Sequence, residues 1–194
     1  DPADRLYATC QDWNIRIDLL INNAGMYRFG ETLDIERDFT AKMIALHVLT
    51  PTKLCLLFGK DMRRQRHGYI LNMSSVTAWL AYPGINVYGA TKCYLKHFSR
   101  GLHTELRDYG VNVTAVCPGA VDTLNGKRRR LLVRLGIMLP PEKLARRAIH
   151  ALFRGKAVLV PGLLNRLVLA LTPLIPHSVI RRVARRTNIL PLHE

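Results

Sequence analysis

The chain has 194 residues, of which 48% are hydrophobic and 22% charged, enough for one hydrophobic core and short for two. Its four cysteines are scattered without a C-x-x-C pair, which argues against a disulfide framework or a zinc site and favours a reducing cytoplasm. The formal net charge of +15 is uneven, because residues 127–194 carry 15 Lys and Arg against 2 Asp and Glu.

This basic C-terminal third has two interpretations, and the sequence leaves both open. A positive surface attracts nucleic acid, anionic lipid or an acidic substrate. Runs such as residues 127–130 (K-R-R-R) are also typical of a solvated helix face that binds nothing. Charge alone therefore identifies no binding partner.

Strands and helices are predicted to alternate along the chain. Apolar runs closed by turn residues predict strands at residues 17–21, 69–73, 111–116 and 156–160. Apolar residues at helical spacing predict helices over residues 36–66, 87–109 and 141–154. This alternation predicts an α/β fold with a parallel sheet, in which ligands bind beyond the carboxyl ends of the strands.

The first chemical signal is the pair Tyr88 and Lys92. The two residues are four positions apart at the start of a predicted helix, which places both side chains on one face. A free phenol has a pKa of about 10, and a nearby ammonium favours the phenolate and lowers that pKa. The pair therefore predicts a proton donor and acceptor that works near neutral pH.

Three further patterns follow predicted strands. Ser75 ends the segment N-x-S-S after the second strand, where its hydroxyl would hold a substrate oxygen while Tyr88 transfers a proton. Residues 22–25 (N-N-A-G) follow the first strand, and the glycine there allows the backbone to approach a ligand closely. Residues 118–123 (P-G-A-V-D-T) follow the third strand.

Together, N-N-A-G, N-x-S-S, Y-x-x-x-K and P-G-x-V-x-T resemble the short-chain dehydrogenase/reductase family in order and spacing, over residues 17–160. The resemblance implies a Rossmann-like, doubly wound parallel sheet in a single domain over residues 1–194. It also implies an NAD(P)-dependent oxidoreductase that interconverts a hydroxyl and a carbonyl group by hydride transfer. By this likeness Tyr88 is the acid/base, Ser75 orients the substrate carbonyl, and Lys92 binds the nicotinamide ribose and lowers the pKa of the phenol.

The resemblance also implies a cofactor site, for which NADP(H) is favoured over NAD(H), and no metal. The predicted cofactor contacts are Tyr88 and Lys92, the adenosine-side residues Asn22, Ala24 and Gly25, and the nicotinamide-side residues Pro118, Gly119, Val121 and Thr123. The expected partners are a small-molecule alcohol or carbonyl substrate and further copies of the protein in a homodimer or homotetramer, with no specific nucleic acid.

His47 is a departure from the family's pattern, because many members have an asparagine at this position of the long helix. That asparagine supports a kink whose main-chain carbonyl holds a water beside the catalytic lysine. Either His47 packs within the helix while the carbonyl keeps this role, or His47 joins the proton relay as a catalytic residue, since imidazole titrates near neutral pH.

The family's glycine-rich turn, G-x-x-x-G-x-G, does not occur in these 194 residues. We therefore expect roughly 60–80 residues of βαβ units before Asp1, and we expect residues 1–4 to cap a helix. The strand at residues 17–21 would then be an unpaired sheet edge. On this expectation residues 1–194 alone neither hold a dinucleotide productively nor catalyse.

Residues 124–140 occupy the place of the family's substrate-covering segment and mix apolar residues with arginines. The mixture suits an apolar or acyl-type substrate with an anionic end, and an amphipathic helix packed on the sheet explains it equally well. Residues 161–194 are predicted as a basic helical extension. The apolar stretch 157–175 contains prolines and a glycine and is too interrupted for a membrane span, but it is compatible with peripheral contact with anionic lipid.

Residues 160–176 loosely resemble bacterial generic short-chain dehydrogenases, with a distant likeness to 17β-hydroxysteroid and 3-ketoacyl reductases. Two other functions remain open. One alternative to the oxidoreductase is a catalytically silent scaffold, against which the intact Ser75, Tyr88 and Lys92 argue. The other is a basic module that binds membrane or nucleic acid, which the charge permits.

Overall fold

A parallel β-sheet forms the centre of the computed structural model, which describes residues 1–122, 133, 138–172, 175–176, 178–180 and 182. The strands of the described residues are β1 (Leu19–Asn22), β2 (Gly68–Met73), β3 (Val111–Val116), β4 (Ala120–Val121), β5 (Met138–Leu139) and β6 (Val158–Leu159). The main sheet has the order β1–β2–β3–β6, and β4 and β5 form a separate short parallel pair. All neighbouring strands of the main sheet are parallel, which confirms the predicted α/β fold.

The helices of the described residues are α1 (Pro2–Asp12), α2 (Arg37–Ile44), α3 (Thr50–Gln65), α4 (Asn86–Leu106), α5 (Pro141–Phe153) and α6 (Leu163–Leu171). Short 3₁₀ turns cover Val76–Ala78 and Arg107–Tyr109. The Asp1 carboxylate accepts a hydrogen bond from the Ala3 N–H at 2.8 Å and so caps α1, with Pro2 as its first residue. This cap confirms the expectation for residues 1–4.

Helices cover both faces of the sheet. On one face, Phe58 and Met62 of α3 and Leu106 of α4 pack with Ile70 and Val113 of the sheet. On the other face, residues of α5 pack against β2, β3 and β6; this cluster comprises Leu71, Val116, Leu139, Leu144, Ala148, Ala151, Leu152 and Leu159. Burial of these apolar side chains on both sides makes the sheet doubly wound, as predicted.

The predicted helix over residues 36–66 is helical throughout but not uniformly α-helical. A π-helical turn, Ala45–Leu49, separates α2 from α3. The segment Arg37–Gln65 is long and apolar enough to cross a membrane by composition, yet it carries part of the core against the sheet. Apolar spacing does not report a π turn, which adds one residue to a turn and often lies at a functional site.

Two strand boundaries differ from the prediction. β1 begins at Leu19 rather than residue 17, and β6 is only two residues long because it pairs with Ala115 and Val116 alone. Within the described residues β1 lies at the sheet edge, as expected, with Leu19 and Ile21 exposed. Most of the predicted substrate-covering segment, 124–140, and much of the predicted extension, 161–194, lie outside the described residues.

Candidate active site

A cleft of about 510 Å³ lies at the carboxyl ends of β1, β2 and β3. Of the residues predicted to form the site, seven line this cleft: Gly25, Ser75, Tyr88, Lys92, Pro118, Gly119 and Val121. Asn22 and Ala24 instead line a separate cavity of about 150 Å³, together with His47 and Lys92. Thr123 lies outside the described residues. The sheet therefore brings the hydroxyl, the phenol and the ammonium into one cleft.

Ser75 is held where β2 ends. Its backbone is extended, with φ −161° and ψ 160°, and its hydroxyl accepts a hydrogen bond from the Thr77 N–H at 3.2 Å. The neighbouring Ser74 is buried, and its hydroxyl donates to the Lys92 carbonyl of α4 at 2.7 Å. This bond ties the end of β2 to the first turns of α4, which keeps Ser75 on the same cleft as Tyr88.

Tyr88 lies in the first turn of α4 between two other rings. Its ring centroid is 5.9 Å from that of Tyr27 and 5.7 Å from that of His47, both in edge-on geometry. Burial raises the pKa of Tyr88 above its ordinary value, and the neighbouring Ser75 hydroxyl opposes this rise. The phenol is therefore protonated at neutral pH, in the form that donates a proton to a carbonyl oxygen.

Lys92 is buried, with only 4% of its surface exposed, and its Nζ donates a hydrogen bond to the Met73 carbonyl at 2.9 Å. Burial lowers the pKa of Lys92 to about 8. Nζ lies 5.5 Å from the centroid of the Tyr88 ring. The expected lowering of the Tyr88 pKa by Lys92 was wrong for this structure, because the loss of solvent around the phenol dominates.

Asn22 belongs to a polar chain that crosses the sheet. Its Nδ2 donates to Asn72 Oδ1 at 2.7 Å, across paired positions of β1 and β2. Asn72 is fully buried, and its Nδ2 donates to Ser99 Oγ of α4 at 2.8 Å. Satisfied polar chains of this kind fix the relative positions of the elements they join. The structure thus gives Asn22 a role in holding β1 to β2, besides any contact with a cofactor.

His47 lies in the π turn and is almost fully buried. Its Nε2 accepts a hydrogen bond from the Met26 N–H at 3.0 Å, so the proton of the neutral ring is on Nδ1. Nδ1 lies 3.0 Å from Thr91 Oγ1, and the Thr91 hydroxyl donates to the Tyr88 carbonyl at 2.7 Å. His47 therefore connects the loop after β1 with the helix turn that carries Tyr88.

Burial, and secondarily the Lys92 charge, lower the pKa of His47 from 6.5 to about 4. Because this pKa is depressed in the folded state, the contribution of His47 to stability is complete above pH 6.5 and is lost as the pH falls towards 4. We expect His47→Gln, whose side-chain oxygen can accept from the Met26 N–H without titrating, to lose less stability over this range. Urea unfolding at pH 7, 5.5 and 4.5 measures the difference.

His97→Gln is the matched control, because His97 is an exposed histidine on α4. This variant should lose stability with falling pH as steeply as the original protein. If the free energy of unfolding of His47→Gln also falls with pH as steeply as that of the original protein, His47 is not the buried neutral group that the hydrogen bonds describe.

The family comparison agrees with this geometry: the model of the short chain dehydrogenase family matches residues 1–131. The chain belongs to the short-chain dehydrogenase family. A short-chain dehydrogenase from Streptomyces avermitilis has a similar solved structure, with a TM-score of 0.75 and 25% sequence identity. The match covers 95% of this chain and 73% of that one. Together with the sheet order, it confirms the Rossmann-like fold.

Two relatives carry different activities in their names. Serine 3-dehydrogenase of Rhizobium radiobacter is 35% identical over 118 residues, which are 55% of this chain and 43% of that protein. The 3-oxoacyl-acyl-carrier-protein reductase of Synechocystis sp. is 36% identical over 124 residues, which are 63% of this chain and 50% of that protein. The chain spans about half the length of the curated relatives it matches.

Two glycines shape the walls of this short-chain dehydrogenase cleft. A Cβ on Gly25 would lie 3.3 Å from His47 Nε2, and a Cβ on Gly119 would lie 2.5 Å from Asn165 Oδ1. At both positions a side chain would crowd the neighbouring side chain, so glycine allows the backbone to lie close to His47 on one side and to Asn165 on the other. Lys92 Nζ would lie 3.7 Å from a Cβ on Gly25, and the cleft that these residues line fits the nicotinamide riboside half of a dinucleotide. Among the described residues, no cluster of His, Cys, Asp and Glu is placed to hold a metal.

Several cleft residues were missed by the sequence reasoning. Met26 and Tyr27 line the cleft beside the predicted residues, and Tyr27 also packs edge-on against Phe29; Met138, which lines it as well, belongs to the predicted substrate-covering segment. Thr91 mediates between His47 and Tyr88. Met26 and Tyr27 follow the N-N-A-G pattern in turn, so their closeness to that loop is the one signal that could have found them. Nothing local in the sequence indicates the contacts of Thr91.

Proposed function

We propose that the protein is an NAD(P)-dependent oxidoreductase that interconverts a hydroxyl and a carbonyl group. The observation that carries this proposal is the convergence of Ser75, Tyr88 and the buried Lys92 on one cleft. A nicotinamide bound there supplies or accepts the hydride. Tyr88 gives its phenolic proton to the carbonyl oxygen, so that the carbonyl carbon gains the hydride and the oxygen gains the proton.

The other two residues act on charge and position. The Ser75 hydroxyl donates a hydrogen bond to the same carbonyl oxygen and stabilises the negative charge that develops on it. The Lys92 ammonium holds the ribose hydroxyls and stabilises the phenolate that remains on Tyr88 after proton transfer. Both functions need a charge or a dipole shielded from water, and the burial of Lys92 supports this assignment.

We infer that His47 is a positioning residue rather than a proton carrier. Both of its ring nitrogens already have hydrogen-bond partners, and a pKa of about 4 leaves it neutral at physiological pH. Through Met26 and Thr91 it fixes both the loop over the cleft and the turn that bears Tyr88. A proton relay through His47 lacks a path to the phenol, because Nε2 accepts from a backbone N–H and the Thr91 hydroxyl leads to the Tyr88 carbonyl.

The proposed substrate is an apolar or acyl-type ketone or alcohol. Met26, Met73, Val121 and Met138 line the cleft with apolar surface around the polar centre. NADP(H) is the proposed cofactor, since a net charge of +15 favours the more anionic dinucleotide.

We place the enzyme in the cytoplasm, which suits four free cysteines. Its other proposed partners are further copies of itself, and the geometry of Tyr88 and Lys92 argues against a silent scaffold.

A substrate panel tests the proposal on the intact protein. We expect oxidation of NADPH, followed by its absorbance, with a 3-oxoacyl thioester or a long-chain ketone at a kcat/KM at least tenfold above that for a small polar ketone such as a keto sugar acid. Preference for the polar substrates would contradict the substrate class and leave the reaction class intact. Failure to oxidise the cofactor with every carbonyl, despite measurable cofactor binding, would contradict the function itself.

A further inference from the structure

Helix α6 turns its apolar side away from the body of the protein. No residue of this helix is buried, and five large aliphatic side chains are between 44% and 72% exposed. These residues, which we call the apolar stripe, are Leu163, Leu164, Leu167, Val168 and Leu171. Their spacing places them on one side of the helix, over about 140°. A helix that merely covered a sheet would turn this side inward.

The orientation of α6 is fixed by contacts on its opposite side and at its start. Asn165 Nδ2 donates to the Pro161 carbonyl at 2.8 Å, and its side chain lies against Gly119 of the active-site cleft. Arg166 Nε donates to the Val160 carbonyl at 2.9 Å. The apolar stripe is therefore displayed by a helix that is attached to the fold.

A basic cleft of about 540 Å³ lies beside the apolar stripe, between α5 and the start of α6. Its cationic and imidazole side chains are Arg146, Arg147, His150, Lys156 and Arg166, and Leu163 of the stripe lines it as well. The same stretch of described residues, 138–172, contains a single acidic residue, Glu142. Apolar surface and positive charge thus adjoin on one side of the molecule.

We propose that this surface binds the face of an anionic lipid bilayer. In this arrangement the apolar stripe enters the boundary between the headgroups and the acyl chains, and the basic cleft receives lipid phosphates. An apolar helix side rimmed by Lys and Arg is the pattern of interfacial helices, and each cation near an anionic membrane strengthens binding. This inference goes beyond the oxidoreductase function and does not depend on it.

Two other occupants fit the surface less well. A symmetric contact with a second copy would bring two basic clefts together in a protein that already has a net charge of +15. A nucleic acid would satisfy the cations but would leave five aliphatic side chains facing a charged phosphate backbone. A bilayer with anionic lipid offers both an apolar layer and negative charge, and so matches both halves of the surface.

Vesicle flotation of the intact protein tests the proposal. The probes are vesicles of phosphatidylcholine alone and vesicles with 30% phosphatidylglycerol, each at 0.1 M and 0.5 M NaCl. We expect binding to the anionic vesicles, weakened by salt, and little binding to the neutral ones. Leu163→Ser with Leu167→Ser, and separately Arg146→Gln with Arg147→Gln, should each weaken binding at least tenfold.

Matched controls distinguish binding through this surface from nonspecific hydrophobic or electrostatic binding elsewhere on the protein. Leu33→Ser removes a leucine that is fully exposed elsewhere, and Arg37→Gln with Lys42→Gln removes two exposed cations on α2. Both controls should bind the vesicles like the original protein. Circular dichroism melting shows whether every variant is folded. We expect all of them to be folded, because the substituted side chains are exposed.

Three results would overturn the proposal. The first is equal binding to neutral and anionic vesicles, or no binding to either. The second is binding that the control variants reduce as much as the α6 variants do. The third is a dimer in sedimentation without lipid that Leu163→Ser with Leu167→Ser dissociates, which would make the stripe a protein interface. Because flotation requires no turnover, a failed oxidoreductase assay leaves its outcome interpretable.

Discussion

Tyr88→Phe is expected to reduce the turnover of the intact enzyme by on the order of 10²–10⁴-fold while leaving cofactor affinity nearly unchanged. The substitution removes the proton that, in the proposed mechanism, completes carbonyl reduction. It keeps the ring that packs edge-on between Tyr27 and His47, so the cleft should retain its shape. Steady-state kinetics and a fluorescence titration with NADPH measure the two quantities separately.

Tyr27→Phe is the matched control for this experiment. Tyr27 lines the same cleft and contacts Tyr88, but it is mostly exposed and belongs to the loop after β1. Its variant should keep turnover within a few-fold of the original enzyme. Turnover of Tyr88→Phe within that same range would remove Tyr88 from the chemical step.

Lys92→Met is expected to weaken NADPH binding as well as turnover, because we propose that the same ammonium holds the ribose and stabilises the phenolate. The pKa of Lys92, lowered by burial to about 8, also predicts a pH dependence. As the pH rises through 8 the lysine loses its charge, so the affinity of the original enzyme for NADPH should fall between pH 7 and 9. The affinity of Lys92→Met should stay flat over that range.

Lys96→Met supplies the control for removing a buried lysine. Lys96 lies one turn further along α4, is equally buried, and donates from Nζ to the Ala78 carbonyl at 2.9 Å. Nζ also lies 3.9 Å from the centroid of the Trp79 ring, outside the active-site cleft. This variant should lose stability yet keep the pH dependence of NADPH affinity. The same dependence in Lys92→Met would show that another group causes it.

The fold, and the grouping of the candidate site residues in one cleft, could be predicted because their signals are local. Each strand is an apolar run of a few residues; Ser75 follows directly after β2, and Tyr88 and Lys92 lie in the first turns of the next helix. The prediction that Ser75, Tyr88 and Lys92 lie together required no long-range information beyond the rule that parallel strands end at a common edge. The structure places all three on that edge.

The remaining properties of the site depend on contacts between distant residues. The bonds of His47 to Met26 and Thr91 join positions that are 21 and 44 residues away from it. The spacing of Tyr88 and Lys92 predicted a lowered phenol pKa, whereas burial by the rest of the fold raises it. The apolar composition of residues 157–175 was visible in the sequence, but which side of α6 faces outward depends on how the helix is attached.

We propose above all that hydride transfer takes place in the cleft that Ser75, Tyr88 and Lys92 share. The direct measurement is to incubate the intact enzyme with NADPH deuterated at the transferring position of C4 and a 3-oxoacyl thioester, and to locate the label by mass spectrometry. We expect one deuterium on the new carbinol carbon, with product formation nearly abolished by Tyr88→Phe. Product without the label, or labelled product formed equally fast by Tyr88→Phe, would contradict it.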